Sequence, residues 1–468
     1  MGNAESSSFQ KHLSRFVAAE QSIIERVFDA LSSVNGSSEA KSGKTAKGTV
    51  SLTMLKAYIK DTLPDSMITR LHNGMCTVDI SGKSAGAATQ FGREHFVVFL
   101  SEVLVGNAEE KSFAVMPMIS VSNNGSVTGK EVLEFTDDLI SSVLHVLKEK
   151  KMLQGWNLEK THSATAGVKS LAMHFVLELK KQETELPQSE IMRSCYDRST
   201  IEDWIYRVCH ISSFLTFVVS QSLSIDLSTT DEQSASVKLL PRCRGPEWTE
   251  FSSILDLPSA IYLNSQLPSE LQHQWRLLFS NRIHGESFSQ LCGKIVRQGP
   301  TIIILKDTDG HIFGGFASHS WEFKPQFQGD SSCFLFTTYP SLGVYTYTGY
   351  NDHYMYLNSG QQTMPNGLGM GGQHDYFGLW LDSDYGKGHS KAKPRCTTYN
   401  SPQLSAKETF TIDALEVWGT GKPPQNLPAS AKKSVLDVDP EAQALLDLIG
   451  KSRKSEGLRE PVDEDDEA

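Results

Sequence analysis

The chain has 468 residues, 39% hydrophobic and 21% charged, which is enough apolar material for sizeable cores in two or three domains. Its net charge of −11, with no broad basic stripe, argues against nucleic acid as a partner. Seven widely spaced cysteines without a CxxC pair argue against a disulfide framework or a zinc ribbon. No apolar run approaches a membrane-spanning helix, and the start lacks the order of a secretory signal.

Met1-Gly2-Asn3-Ala4-Glu5-Ser6 fits the N-myristoylation pattern M-G-x-x-x-[ST], so Gly2 is the expected lipidation site. A single myristoyl chain binds membranes only marginally, so a second contact is required. Leu13, Phe16, Val17, Ile23, Ile24, Val27, Phe28 and Leu31 recur at helical spacing, and the spacing predicts a helix around Phe9 to Leu31 with a core-packing face. Residues 1–40 are read as this myristoylated helical region, and 41–240 as a helical, degenerate EF-hand-like domain.

Two loop outlines support the EF-hand-like reading. Ser120 to Glu131 places Gly125 sixth, Val127 eighth and Glu131 twelfth, but Ser120, Ser122 and Asn124 stand where calcium needs carboxylates. Gly43 to Met54 is weaker, with Lys47 in a ligand place. Thr49-Val50-Ser51 and Ser126-Val127-Thr128 are expected to pair as a short ribbon. No metal and no cofactor are expected. Gly43-Lys44-Thr45 ends like a phosphate loop, yet Ser38 replaces its glycine. Gly82-Lys83-Ser84-Ala85-Gly86 matches a nucleophile elbow without the strand and helix that motif needs, and is read as a surface loop. Ser199 to Glu202 reads as a capping box, followed by a face of Ile201, Trp204, Ile205 and Val208.

Residues 244–421 hold 26 of the 42 aromatic residues, with frequent glycine, which is β composition. Thr301 to Leu305 is a buried-strand run, Asp307 to Gly310 a turn, and His311 to Ser318 the partner strand. Cys333 to Thr338, Val344 to Thr348, Tyr354 to Leu357, Tyr376 to Leu381 and Phe410 to Trp418 continue the series. Gly367-Leu368-Gly369-Met370-Gly371-Gly372 has the dinucleotide-loop spacing but precedes a strand, so it is read as a glycine loop between strands. The histidines of this region are expected to be satisfied structural residues, with His374 and Asp375 on opposite faces of a strand.

Residues 422–468 read as linker, short helix and acidic tail. Asp439-Pro440-Glu441 starts a helix and Gly450 stops it. Ala442, Leu445, Leu446 and Ile449 form one apolar face, expected to bind a partner after a Pro-rich spacer, with packing on the chain's own β-rich region as the alternative.

From residue 275 to 421 the motifs fall in a recognisable order: Trp275-Arg276-Leu277-Leu278-Phe279-Ser280, Gly299-Pro300-Thr301-Ile302-Ile303, Lys306 to Gly310, Phe313-Gly314-Gly315-Phe316-Ala317, Pro365 to Gly372, Phe377-Gly378-Leu379-Trp380 and Leu415-Glu416-Val417-Trp418-Gly419. This stretch resembles the TLDc domain. The resemblance implies an α+β multidomain chain whose TLDc part is a two-sheet β-sandwich with flanking helices and no agreed catalytic residues. It also implies binding to peripheral subunits of the vacuolar proton-pumping ATPase and a link to oxidative-stress protection. The myristoylation start and EF-like half resemble a lysosomal branch of that family tied to mTOR pathway proteins, which implies anchoring to the lysosomal membrane surface through myristate. The expectation is therefore a non-enzymatic, membrane-tethered interaction protein. The alternatives are a calcium-responsive adaptor, or a peroxide-handling enzyme using Cys292, Cys333 or Cys396.

Overall fold

Helical periodicity in the first half and β-branched or aromatic runs in the second separate the chain into a helical part and a sandwich part. The computed structural model describes residues 7–33, 48–78, 89–120, 125–158, 164–180, 187–225 and 239–424.

The expected single N-terminal helix is two: α1 (Ser7–Leu13) and α2 (Ala18–Ser33). Local side chains make the break. The Gln21 amide donates to the Leu13 and Phe16 carbonyls, at 3.1 and 2.8 Å, and the Glu20 carboxylate accepts from the Val17 N–H. These bonds satisfy groups that a helix end leaves open. Val17 falls in the break and is 61% exposed. Phe9, Phe16, Ile24, Val27, Phe28 and Leu31 are buried, so the apolar face is used for core packing.

Four helix–strand–helix units follow. The first runs from α2 through β1 (Thr49–Ser51) to α3 (Leu52–Ile59). The second is α4 (Asp65–Thr77), β2 (Gln90–Gly92) and α5 (Arg93–Leu100). The third is α6 (Ala108–Ile119), β3 (Ser126–Thr128) and the 21-residue α7 (Gly129–Glu149). After α8 (Ala164–Leu177) comes the fourth: α9 (Gln188–Arg193), β4 (Cys195–Asp197) and α10 (Arg198–Arg207); α11 (Cys209–Leu223) closes the helical part. The expected ribbon between β1 and β3 does not form. β1 pairs with β2, setting Val50 opposite Phe91, and β3 pairs with β4, setting Val127 opposite Tyr196. Each unit thus finds its neighbour in sequence, and all four facing side chains are buried. The cap of α10 is Asp197 rather than Ser199: its carboxylate accepts from the Thr200 N–H and hydroxyl. The expected face of Ile201, Trp204, Ile205 and Val208 is buried.

The sandwich adds β5 (Arg242–Arg244), α12 (Leu257–Gln266), β6 (Gln274–Ser280), α13 (Asn281–His284), α14 (Phe288–Ile295), β7 (Thr301–Asp307), β8 (Ile312–Ala317), β9 (Lys324–Gln328), β10 (Phe334–Tyr339), β11 (Gly343–Tyr345), β12 (Met355–Asn358), β13 (Gly367–Gln373), β14 (Tyr376–Asp382), β15 (Lys387–His389) and β16 (Thr409–Thr420). One sheet runs β5–β6–β16–β7–β8–β10–β11 and the other β16–β15–β14–β13–β12–β9. The shared strand β16 pairs with β15 over Thr409–Thr411, then with β7 and β6. An irregularity between Ile412 and Ala414 marks the passage, as bulges do where strands turn between sheets.

The glycine run 367–372 is part of strand β13, not a loop. Leu368 and Met370 enter the inter-sheet core, while Phe377 and Trp380 lie where a Cβ on Gly369 would stand. Gly371 and Gly372 take φ of +71 and +83, which only glycine adopts readily, and the strand kinks there.

Strand β7 shows why 301–305 reads as unbroken apolar sequence. Ile303 and Leu305 face the second sheet, together with Leu357, Leu368 and Leu381. Ile302 and Ile304, with Phe316, Phe334 and Phe336 of the neighbouring strands, face the other way into the core of the helical part. Both faces are buried, so alternation disappears. The link is a group of four indoles. Trp156, on the turn after α7, lies 5.1 Å from Trp418, 5.8 Å from Trp275 and 6.1 Å from Trp248. Its Nε1–H donates to the Pro241 carbonyl at 2.9 Å, and the Trp248 Nε1–H donates to the Gly155 carbonyl at 2.8 Å. Residues up to Lys422 form one compact unit.

Trp156→Ala is expected to destabilise the chain by about 3–5 kcal/mol in chemical denaturation, because it removes a buried ring that collapse of the site cannot replace. A loss under about 1 kcal/mol would show that the indole group does not hold the helical part to the sheet.

Candidate functional site

In the stretch from Ser120 to Glu131, Gly125 takes φ +67, and the twelfth-place carboxylate is already engaged. Glu131 Oε1 accepts from the Ser120 hydroxyl at 2.7 Å. Its Oε2 accepts from the Thr128 N–H at 2.7 Å and the Thr128 hydroxyl at 2.8 Å. The Thr128 hydroxyl oxygen accepts from the Glu131 N–H, completing a capping box at the start of α7. The Thr128 N–H, with help from both hydroxyls, holds the Glu131 carboxyl below its usual pKa range. The first and twelfth places of the loop are therefore bonded to each other, and the residues do not fit a dehydrated divalent cation, which needs several carboxylates. Among the described residues no three His, Cys, Asp or Glu side chains group as a metal site.

The strands that complete the two pairs, β2 and β4, were not expected; in sequence they fall within the twelve-residue windows 84–95 and 189–200. Neither keeps the glycine or the twelfth-place acid: Thr89 and His95 stand in one, Ser194 and Thr200 in the other. Arg193, the last residue of α9, occupies the fifth place of the last window. The trace left in sequence is a lone aromatic at each eighth place, Phe91 and Tyr196.

The expected site residues Gly2, Ala442, Leu445, Leu446 and Ile449 lie outside the described residues, as do 43–45 and 82–86. The first described element is α1, where Phe9 lies under the Arg93 guanidinium at 5.6 Å; Arg15, just past its end, pairs with Glu110.

The three cysteines weighed for peroxide chemistry are buried. Burial pushes the Cys292 thiol up to about 12, and raises Cys333 and Cys396 as well. A peroxide-reactive cysteine needs the opposite, an exposed thiol with a lowered pKa. The histidines divide. His284 accepts from the Ser280 N–H at 3.1 Å, and His353 bonds the Gly372 carbonyl while stacking on Phe327 at 4.1 Å. His311 Nδ1, His374 Nδ1 and His389 Nε2 are buried without a hydrogen-bond partner among the described residues, so the expectation of full satisfaction fails for these three. Burial lowers His389 to about 4, so its ring stays neutral in the aromatic layer beside Trp380. His374 and Asp375 are not strand neighbours: they form the two-residue turn between β13 and β14, with Asp375 at φ +67.

The sandwich also presents a platform to solvent. A hollow of 580 Å³ is lined by Thr348, Tyr350, Pro394, Arg395, Thr397 and Asn400, and Tyr350 is 77% exposed. The Thr348 N–H donates to the Thr398 carbonyl at 2.9 Å, and the Thr348 hydroxyl to the Thr397 carbonyl at 2.7 Å. The Asn351 amide reaches the Thr397 hydroxyl at 3.1 Å. An exposed tyrosine and an arginine on a pinned backbone are the residue types that anchor protein interfaces.

Residues 248–421 match the TLDc domain model. The MTOR-associated protein MEAK7 of Gallus gallus is 59% identical over 468 residues, covering all of both chains. The protein of the same name from Homo sapiens is 49% identical over 467 residues, covering 99% of this chain and all of its own. The chain belongs to the TLDc-domain family. Nuclear receptor coactivator 7 of Gallus gallus is 34% identical over 175 residues, 37% of this chain and 18% of its own. The TLDc match begins at Trp248 and ends one residue after β16. Three indoles of the tryptophan group therefore belong to the TLDc domain and the fourth, Trp156, comes from outside it. The platform around Tyr350 and Arg395 also lies within the TLDc domain.

Glu131→Ala separates a cap from a metal ligand. Losing the capping box is expected to cost about 1–2 kcal/mol of stability. Calorimetric titration of calcium into the full chain is expected to give no micromolar binding, with or without the substitution. A micromolar site that disappears in Glu131→Ala would make the loop a calcium site instead.

Proposed function

We propose that the chain is a non-enzymatic interaction protein held by N-myristate at Gly2 on the cytoplasmic face of lysosomes. There its TLDc domain binds the peripheral sector of the vacuolar ATPase and the protein supports mTOR signalling. The observation that carries the reading is similarity over the whole chain to relatives named for association with mTOR. The ATPase contact rests on the family resemblance and the lipid on the first six residues.

The chemistry of the described residues is in keeping with binding rather than turnover. The three core thiols of the sandwich are protonated and enclosed, and the EF-like carboxylate serves as a helix cap. The Tyr350 and Arg395 platform offers a protein partner a rigid, exposed anchor. One acyl chain holds a protein only transiently, so residence at the membrane depends on protein contacts acting together with it. The apolar face read at Ala442, Leu445, Leu446 and Ile449 is the second such contact, reaching a groove on the partner.

Fractionation of cell membranes tests both contacts. Gly2→Ala is expected to shift most of the protein to the soluble fraction. Leu445→Asp with Leu446→Asp is expected to weaken co-purification with the ATPase while leaving the melting temperature within a degree or two, about the shift of a surface change. Retention of Gly2→Ala on membranes from which the ATPase has been removed would contradict the lipid anchor. A large fall in melting temperature with intact co-purification would place the Leu445 segment in the protein's own core.

A further inference from the structure

Along α7, Leu133, Asp137, Ser141, Leu144 and Lys148 follow one another at steps of four, four, three and four, which places them in one stripe. They floor two clefts, of 460 and 530 Å³, that meet at Asp137. Val168, Lys169 and Met173 of α8 supply the facing wall. From Leu133 to Lys148 the floor is about 22 Å long, the length of about four turns of a second helix laid beside it. Leu133, Leu144 and Met173 are only half-buried, so the floor and wall keep apolar surface uncovered.

Asp137 sits at the middle of this groove, half-buried, with no hydrogen bond or ion pair among the described residues. Its neighbour Asp138 is taken up by Arg70, at 2.6 Å, and Arg70 also donates to the Met118 carbonyl. Lys169 is the counter-charge that acts on Asp137, and it does so without contact. Burial and the Asp138 charge together push the Asp137 carboxyl above its usual pKa. A partly buried carboxylate without a direct partner is a cost to the free protein, and a cation brought into the groove offsets it. Glu134, exposed beside it, lies 3.8 Å from Lys130 and adds little net charge. At the far end His145 is already bonded to the Asp61 carbonyl at 2.6 Å, so it leaves the floor open.

We propose that this groove on the helical part receives an amphipathic α-helix of another protein. The incoming apolar residues rest on Leu133 and Leu144, and a lysine or arginine pairs with Asp137. The site is built from other residues than the TLDc platform, so it gives the protein a further partner contact.

The test is fluorescence anisotropy with the full chain and two labelled 18-residue helical peptides. Both carry leucine at i, i+4, i+7 and i+11; one has lysine at the remaining positions and the other glutamate. The lysine peptide is expected to bind and the glutamate peptide not to. Asp137→Asn is expected to weaken binding about five- to tenfold without lowering the melting temperature. Ser141→Arg, which fills the middle of the floor, is expected to abolish it. Asp29→Asn, an exposed acid on α2, serves as the control for unspecific attraction and is expected to change nothing. Equal or stronger binding of the glutamate peptide overturns the proposal, as does equal weakening by Asp29→Asn and Asp137→Asn. Failure of both peptides to bind also overturns it. Self-association of the free chain that Ser141→Arg abolishes would assign the groove to a second copy and overturn it as well.

Discussion

Trp156 enters the outer face of the first sheet between Trp275 and Trp418, and the packing of the rest follows from that insertion. A sandwich sheet that faced solvent on its outer side would alternate apolar and polar residues. This one carries Ile302, Ile304, Phe316, Phe334 and Phe336 outward, and all are buried. They need a cover, and the helical part is that cover. Trp418 in turn donates its Nε1–H to Glu416, whose carboxylate also accepts from the Ser253 hydroxyl at 2.7 Å and the Ile254 N–H at 2.8 Å. Burial raises the Glu416 pKa, and the three donors oppose the rise by stabilising the charged form. The segment that precedes α12 is thereby tied to the middle of β16. A second tie runs through His174 of α8, which shares a hydrogen bond of 2.8 Å with the Tyr262 hydroxyl of α12.

This arrangement bears on function through what it leaves at the surface. The outer face of the first sheet is used for internal packing, and loops of the sandwich stand in solvent. There Tyr350 and Arg395 stand on a backbone pinned by Thr348 and Asn351. The EF-hand-like part has changed use in the same spirit. Glu131 keeps the place of a metal ligand and works as a helix cap, bonded to Ser120 and Thr128. The long α7 that this cap begins is both the floor of the groove at Asp137 and the element that delivers Trp156.

The hairpin of β7 and β8 was legible in the sequence because a β-branched run, an Asp-Gly turn and a second apolar run are all local signals. The end of the sandwich at Trp418 and Gly419 was legible for the same reason. The glycine run 367–372 was not. Glycine weakens a strand signal, and the reason for it is the pair of rings on β14, Phe377 and Trp380, that occupy the space of absent side chains. The break at Val17 was hidden because the apolar period continues through it, while the bonds that end α1 come from Glu20 and Gln21 beyond the break. The pairing of β1 with β2 and β3 with β4 was hidden because the sequence windows around β2 and β4 have lost both glycine and acid. Of the candidate site, the degenerate chemistry of Ser120 to Glu131 could be read directly. The bond between those two residues, the pinned platform at Tyr350 and the uncovered stripe on α7 depend on tertiary packing that no local pattern records.

The central claim is that the helical part and the sandwich stand as one cooperative body because they share the outer face of the first sheet. Native-state hydrogen exchange on the full chain tests it most directly, by comparing amides in β7 from Ile302 to Leu305 with amides in α7 from Leu139 to Val146. The account predicts that both groups exchange with the same opening free energy and the same denaturant dependence, as one unit does. Protection of the β7 amides that persists after the α7 amides have opened would contradict it, and would make the sandwich a domain that needs no cover.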